Sequence, residues 1–355
     1  MGGKLPLEIL PTHTTALFSA AVERAAELLR AGEVVALPTE TVYGLAANAL
    51  NAKAVSSIYE VKGRPAHNPI IVHVSGVTMA RGCVAKWPSM ADDLARAFWP
   101  GPLTLVLSRA KKIPDVVTAG GDTVGVRWPS HPLIQAVIRK CRFPLAAPSA
   151  NVSTRVSPTN PEHVRAQLGD RLRLIVDGGQ SQIGIESTVL DLTENPPRVL
   201  RPGMIHEESL AAVIGNLRGL ESDIREAKQA LRSPGLVGRH YAPRAKLVLL
   251  GWRDEADLAF QLSTLGSEPQ KCHVIAHTRI PSASGFGGVS VIPHDAEAFA
   301  RAIYAELHRC DQAGAALIVV ETLPDAPEWR AIADRLNRAS ANDVSRKAYQ
   351  SVEVC

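Results

Sequence analysis

The chain has 355 residues, 46% of them hydrophobic, 21% charged and 5% aromatic, with a formal net charge of +4 and a sequence pI near 8.8. That length and apolar content suffice for two domains with ordinary cores. The mild charge and sparse aromatics exclude a basic nucleic-acid tail and a base-stacking platform, leaving an anionic substrate or a weak RNA contact as partners of the positive charge.

Thr14 or Thr15 caps a helix whose apolar face runs Phe18, Val22, Ala25, Leu29 and which Gly32 ends. Val34-Val35-Ala36-Leu37 follows as a buried strand. A second helix is capped by Asn51, turns Val55, Ile58 and Tyr59 inward and ends at Gly63, and Ile70 to Val74 is the next strand. Lys62 and Arg64 therefore fall at a helix-to-loop junction. Further strands are expected at Leu103 to Leu107, Val124 to Trp128, Leu145 to Ala147, Leu172 to Val176, Thr188 to Leu192 and Val199 to Arg201. Many strands with few helices between them favour a twisted mixed sheet over a strictly alternating one.

Glu207 to Ala230 reads as a polar helix, and Ser233-Pro234-Gly235-Leu236-Val237-Gly238 as a linker rich in backbone breakers. Beyond it, strands at Leu247 to Leu250, His273 to Ala276 and Ala316 to Val320 alternate with helices near 254–264, 295–311 and 327–339, the pattern of a small parallel α/β domain. The division is a first domain over 1–205, an interdomain helix and linker over 206–243, and a second domain over 244–355. No stretch is apolar enough to span a membrane and the start lacks an apolar signal core, so no membrane partner and a cytoplasmic location are expected. Cys83, Cys141, Cys272, Cys310 and Cys355 contain no Cys-x-x-Cys pair and suggest reduced, mostly buried thiols.

Three segments carry polar chemistry. Pro38-Thr39-Glu40-Thr41-Val42-Tyr43-Gly44-Leu45 places two hydroxyls, a carboxylate and a phenol at the exit of a buried strand, where α/β folds carry ligand loops; a plain turn with Tyr43 over the core is the alternative. Lys62-Gly63-Arg64-Pro65-Ala66-His67-Asn68-Pro69 sets a point charge and a planar fork within three residues, as phosphate binding requires, although both cations would also suit a helix C-terminus. Ser149-Ala150-Asn151-Val152-Ser153 and Ser157-Pro158-Thr159-Asn160 supply hydroxyls and amides after another strand, and Glu186-Ser187-Thr188 and Arg201-Pro202-Gly203 bring a further hydroxyl and arginine. No phosphate loop of the Gly-x-x-x-x-Gly-Lys type, no Gly-x-Gly-x-x-Gly after a strand, no Gly-x-Ser-x-Gly elbow and no His-Glu-x-x-His is present, which disfavours the corresponding ATPase, dehydrogenase, hydrolase and zinc-protease classes.

Taken in order, Pro38 to Leu45, Lys62-Gly63-Arg64-Pro65 with Asn68-Pro69, Ser149-Ala150-Asn151, Ser187-Thr188-Val189 and Arg201-Pro202-Gly203 resemble the YrdC-like family, specifically its two-domain threonylcarbamoyl-AMP synthase form. Ser233-Pro234-Gly235 with Arg239-His240-Tyr241-Ala242-Pro243 resembles the long form's linker, and Ala331 to Ala339 its last helix, while Leu236-Val237-Gly238 departs from the linker's commoner Met and basic or aromatic residue. The resemblance implies an N-terminal YrdC-like twisted mixed-sheet domain and a smaller C-terminal Rossmann-like parallel α/β domain. It implies a nucleotidyltransferase of tRNA processing that joins L-threonine, bicarbonate and ATP into threonylcarbamoyl-AMP and pyrophosphate, with tRNA threonylcarbamoyl-transfer proteins acting downstream.

On that resemblance Lys62 and Arg64 are the catalytic cations. Lys62, Arg64, Asn68, Thr123, Ser149, Asn151, Ser157 and Arg201 take ATP, joined by Tyr241 if the linker closes as a lid. Thr41, His73, Arg127, Ala147 and Ser187 form the threonine pocket, and Mg2+ is carried by the nucleotide rather than by a protein metal site. The reading from another class is an RNA-binding or ribosome-maturation module that uses the same basic cleft without chemistry.

Overall fold

In the computed structural model, residues 6–219 and 240–340 are described. They fall into two compact units, one of residues 6–153 and 157–219, the other of residues 154–156 and 240–340. The expected linker motif at 233–238 lies outside the described residues.

The first unit contains β1 (Glu8–Pro11), β2 (Val35–Leu37), β3 (Gly44–Asn48), β4 (Val72–His73), β5 (Leu103–Ser108), β6 (Thr123–Arg127), β7 (Leu145–Ala146), β8 (Leu174–Asp177), β9 (Thr188–Asp191) and β10 (Arg198–Arg201). They form one mixed sheet in the order β1-β8-β2-β3-β7-β4-β6-β5-β9-β10. Its middle is narrow: β7 and β4 are two residues each, yet they join β3 on one side to β6 on the other. Alternation along the strands feeds two cores. Val35 and Leu37 pack with α1 (Thr15–Arg30) and α6 (Pro132–Cys141), whereas Ala36 packs on the face covered by α2 (Ala52–Lys62) and α4 (Ser89–Phe98).

Local signals place the helices that matter for the site. Thr14 accepts from the Leu17 N–H to cap α1, and Asn51 accepts from the Lys53 and Ala54 N–H groups to cap α2. At the other end of α2, Gly63 takes a left-handed φ of 61°, and the N–H groups of Gly63 and Arg64 close back on Glu60 and Tyr59. The chain therefore stops being helical between Lys62 and Arg64, which sends their side chains in different directions.

Two expectations change. Gly44 to Asn48 is a strand, not the tail of a loop; Gly44 to Ala47 are all buried, so the run has no alternation to betray it. Of the helix expected over 207–230, α8 (Glu207–Ile214) is present and stops where Gly215 adopts φ 78°, Arg218 then pairing beside Arg198 of β10; 220–230 lie outside the described residues.

The second unit holds four parallel strands, β11 (Lys246–Leu250), β12 (Cys272–Ala276), β13 (Gly288–Val291) and β14 (Leu317–Glu321), in the order β11-β14-β12-β13. With α9 (Glu255–Thr264), α10 (Ala296–Gln312) and α11 (Arg330–Ser340) it is a small Rossmann-like α/β unit. No helix among the described residues is long and apolar enough to cross a membrane.

Candidate active site

Lys62 is the last residue of α2 and is 1% exposed. Its ammonium donates to the carbonyls of Ser149 (2.5 Å) and Asn151 (2.6 Å) and to Asn151 Oδ1 (3.1 Å). Ser149 Oγ donates to the same amide oxygen at 2.6 Å. Burial, with the Arg64 charge adding to it, pulls the Lys62 pKa well below the usual lysine value, and three oxygen acceptors hold the charged form against that pull. Lysine, serine and asparagine, expected to face ATP separately, are thus one tied cluster.

Arg64 bends the other way. Its Nε donates to the Asn68 carbonyl at 3.0 Å and its Nη2 to the Pro69 carbonyl at 2.7 Å, so the fork is seated on backbone. Asn68 is 1% exposed and its Oδ1 has no hydrogen-bond partner. Tyr59 donates to the Asn68 carbonyl as well as to Val116 of the short helix α5 (Asp115–Thr118). Thr123 opens β6 and Arg127 ends it, which separates the two by about 13 Å of strand.

Arg127 is held at three points. Nε donates to the Gly101 carbonyl (3.3 Å), Nη1 donates to Thr41 Oγ1 (3.0 Å), and Nη2 stands 2.7 Å from Glu40 Oε1 in a buried ion pair. Thr41 is itself steadied by Thr39 Oγ1 at 2.9 Å. Parallel pairing of β4 with β6 sets His73 beside Arg127, and antiparallel pairing with β7 sets it beside Leu145. Burial first, then the Arg127 charge, pushes the His73 pKa down to about 3, so the ring is neutral at ordinary pH; its Nδ1 has no partner. Burial pushes the Glu40 carboxyl up, but the Arg127 charge and nearby backbone dipoles outweigh that and leave it below the usual carboxylate range. Ala147 follows β7 and donates its N–H to the Ile71 carbonyl, closing the pocket wall.

Ser187 lies between Thr104 of β5 and Arg201 of β10. Its hydroxyl is 2.9 Å from Thr104 Oγ1 and accepts from Arg201 Nη2 at 3.1 Å, while Arg201 Nε donates to the Ser187 carbonyl at 3.0 Å. Arg201, expected on the nucleotide side, and Ser187, expected on the threonine side, therefore meet. Ser157 Oγ donates to Glu186 Oε1 at 2.6 Å. Backbone bonds bind the loops to one another: Tyr43 N–H to Pro158, Ala150 N–H to Tyr43, Ile183 N–H to Glu40 and Gly184 N–H to Thr41. Tyr241 belongs to the second unit, where its ring stacks on Tyr304 with centroids 6.0 Å apart and lies 5.4 Å from the Arg335 guanidinium carbon.

Glu40, Thr104 and Glu186 are the partners that the sequence reading left without roles. Glu40 was visible inside the Thr-Glu-Thr run, but only the sheet brings Thr104 to Ser187. The described cysteines offer no nucleophile: all four are buried, and burial raises Cys83, Cys141 and Cys310 to about 11 and Cys272 above its usual value. Cations seated on oxygen acceptors, with hydroxyls between them, suit the binding and orientation of an anionic ligand.

Residues 27–203 match the Sua5/YciO/YrdC family, described as "Telomere recombination", and residues 205–341 match the family described as "Threonylcarbamoyl-AMP synthase, C-terminal domain". Threonylcarbamoyl-AMP synthase of Pyrococcus abyssi is 39% identical over 89% of this chain and 93% of its own. The Bacillus subtilis protein of that name is 39% identical over 92% and 94%. The crystal structure of Pyrococcus abyssi Sua5 complexed with L-threonine superposes with a TM-score of 0.86 at 35% identity, covering 95% of this chain and 98% of that one. With a relative this similar along nearly its whole length, and with both domain families matched in order, the chain belongs to the two-domain threonylcarbamoyl-AMP synthase family.

Proposed function

We infer that the chain is an L-threonylcarbamoyladenylate synthase, which joins L-threonine, bicarbonate and ATP and releases pyrophosphate. The observation that carries this reading is the setting of Arg127. Its Nε and Nη1 each donate one N–H, to Gly101 and Thr41, and Nη2 lies 2.7 Å from Glu40 Oε1 without a directed hydrogen bond, which leaves N–H groups on both terminal nitrogens, the pair that a carboxylate accepts side by side. Thr41, Ser187 and neutral His73 stand ready for the hydroxyl and amine of the same amino acid. Ala147 shapes the wall.

In this reading the amine of threonine attacks the carbon of bicarbonate, a C–O bond breaking with loss of water to leave a carbamate, and a carbamate oxygen attacks the α-phosphorus of ATP, expelling pyrophosphate. Lys62 and Arg64 neutralise phosphate charge as it develops. Asn68, Thr123, Ser149, Asn151, Ser157 and Arg201 position the nucleotide. The chemistry is positioning and charge neutralisation, with no covalent protein intermediate. Among the described residues no group of three or more acidic, histidine or cysteine side chains is placed to hold a metal. The carboxylates of Glu40 and Glu186 are taken by Arg127 and Ser157. Mg2+ would arrive on the triphosphate, where it would shield phosphate charge.

The product would pass in the cytoplasm to transfer proteins that modify adenosine beside the tRNA anticodon. Pyrophosphate release, measured with threonine, bicarbonate and ATP omitted in turn, tests the reading. Release that depends on all three is expected. Salt-sensitive RNA binding without turnover would replace it with the RNA-binding module.

A further inference from the structure

We propose that Glu40 is a positioning residue for the amino acid, acting through Arg127: it fixes the plane of the guanidinium and sets the net charge of the pocket. The inference rests on the reading of Arg127 as the carboxylate grip. Glu40 is 2% exposed, and its carboxylate meets the Arg127 charge at 2.7 Å. Neither of its oxygens has an in-line hydrogen-bond donor. Burial alone disfavours an ionised carboxylate here, and it is the Arg127 charge with nearby backbone dipoles that keeps it ionised; replacing such a pair by apolar side chains is commonly neutral or favourable for stability. Packing alone therefore gives no reason for a carboxylate at this place. Its effect on Arg127 does.

A planar guanidinium held at Nε and Nη1 alone can still tilt about the line that joins those contacts. The Gly101 and Thr41 bonds, at 3.3 and 3.0 Å, are ordinary neutral-acceptor bonds. The charge on Glu40 is the third point, and three points fix a plane. It also offsets the Arg127 charge before any ligand enters. The pocket then presents two directed N–H groups with little net charge, which suits a zwitterionic amino acid better than a second anion. Other charges around this pair do not compete for Arg127: His73 is neutral, and its ring nitrogen Nδ1 is without a partner. His131, whose pKa burial lowers despite the nearby Glu40 charge, is likewise neutral. Glu40 reaches Arg127 because the loop after β2 is pinned by its own backbone, the Glu40 carbonyl accepting from Ile183 and the Thr41 carbonyl from Gly184.

The test is a double-mutant cycle on the full chain, read by pyrophosphate release and by threonine titration. Glu40→Gln keeps the shape and removes the charge; it is expected to raise the KM for threonine about tenfold while leaving the KM for ATP within about twofold. In an Arg127→Lys background, which has no plane to orient, Glu40→Gln is expected to change the threonine KM little. Equal effects of Glu40→Gln in both backgrounds would overturn the inference, as would matched increases in both KM values. If Arg127→Lys itself leaves the threonine KM unchanged, the pocket reading fails instead. Should Glu40→Gln fold poorly, Glu40→Asp, which withdraws the charge by one methylene, must show the same threonine-selective rise; a threonine KM within about twofold of the parent overturns the inference.

Discussion

His277 and His294 meet Nδ1 to Nδ1 at 2.7 Å, their rings stacked at an interplanar angle of 12°. Only one proton fits between those nitrogens. His277 Nε2 is 3.2 Å from the Thr322 carbonyl, an acceptor, so the His277 hydrogen sits on Nε2 and the shared one on His294. The pair caps the C-terminal ends of β12 and β14, where Glu321 accepts from the His277 and Thr278 N–H groups at 2.7 and 2.9 Å and Trp329 and Phe299 enclose the rings.

Burial lowers the His277 pKa, with Glu321 opposing that effect from 4.0 Å. A histidine whose folded pKa is depressed contributes stability above the ordinary value of about 6.5 and loses it as pH falls. Acidification from pH 7.5 to 5 is therefore expected to lower the protection of the Thr278 and Arg279 amides, read as their exchange rate relative to the intrinsic rate at each pH. His277→Asn should lower the melting temperature at pH 7.5, by about 1–2 kcal/mol of stability, and flatten the pH dependence. An unchanged slope would place the titrating groups elsewhere.

Lys62→Met keeps the length of the side chain but strands the Ser149 and Asn151 carbonyls that the ammonium holds. A loss of about 2–4 kcal/mol is expected, together with faster exchange of the Ala150 and Ser153 amides. Equilibrium denaturation and hydrogen exchange decide it; near-parent stability would mean that the turn stands without the clamp.

Arg64→Ala should separate function from fold. It removes donors to the Asn68 and Pro69 carbonyls, a cost of about 1–2 kcal/mol. Pyrophosphate release is expected to fall about 100-fold or more. Turnover within a few-fold of the parent would remove Arg64 from the chemistry.

Thr104→Val replaces a fully buried hydroxyl by a methyl of the same shape. Ser187 then keeps Arg201 but loses its second neighbour. The threonine KM is expected to rise about five- to tenfold, equivalent to ~1 kcal/mol, with the fold retained. An effect on the ATP KM alone would assign Ser187 to the nucleotide.

Gly203→Ala tests why a glycine closes the Arg201 motif. A Cβ there would lie 2.3 Å from the Thr188 backbone nitrogen, which cannot move without β9. Destabilisation of about 1–3 kcal/mol is expected, with activity lost as Arg201 shifts. A thermal melt matching the parent would show that the strand yields.

The legible parts of the site were those set by neighbours in sequence. Asn51 and Gly63 announce both ends of α2, and with them the positions of Lys62 and Arg64. The resemblance, not periodicity, supplied Arg127, His73 and Ser187 as a group. Their geometry depends on β4 lying parallel to β6, and Thr104 reaches Ser187 only because β5 lies parallel to β9. Strand pairing over such separations leaves no period in the chain. Gly44 to Asn48 hid for another reason: small residues buried on both faces show neither alternation nor bulk. α8 stops at Gly215, whose φ of 78° is a glycine conformation that helical propensity does not foresee.

The two-residue strands β4 and β7 give the large sheet a weld much narrower than the plates on either side of it. A plate so joined has little backbone bonding along its weld to resist bending, with two register pairs at each junction there. His73 stands on that line, Ala147 at its end and Arg127 beside it. On the proposed function, an amino acid seated against these residues would tie the two plates together across the weld.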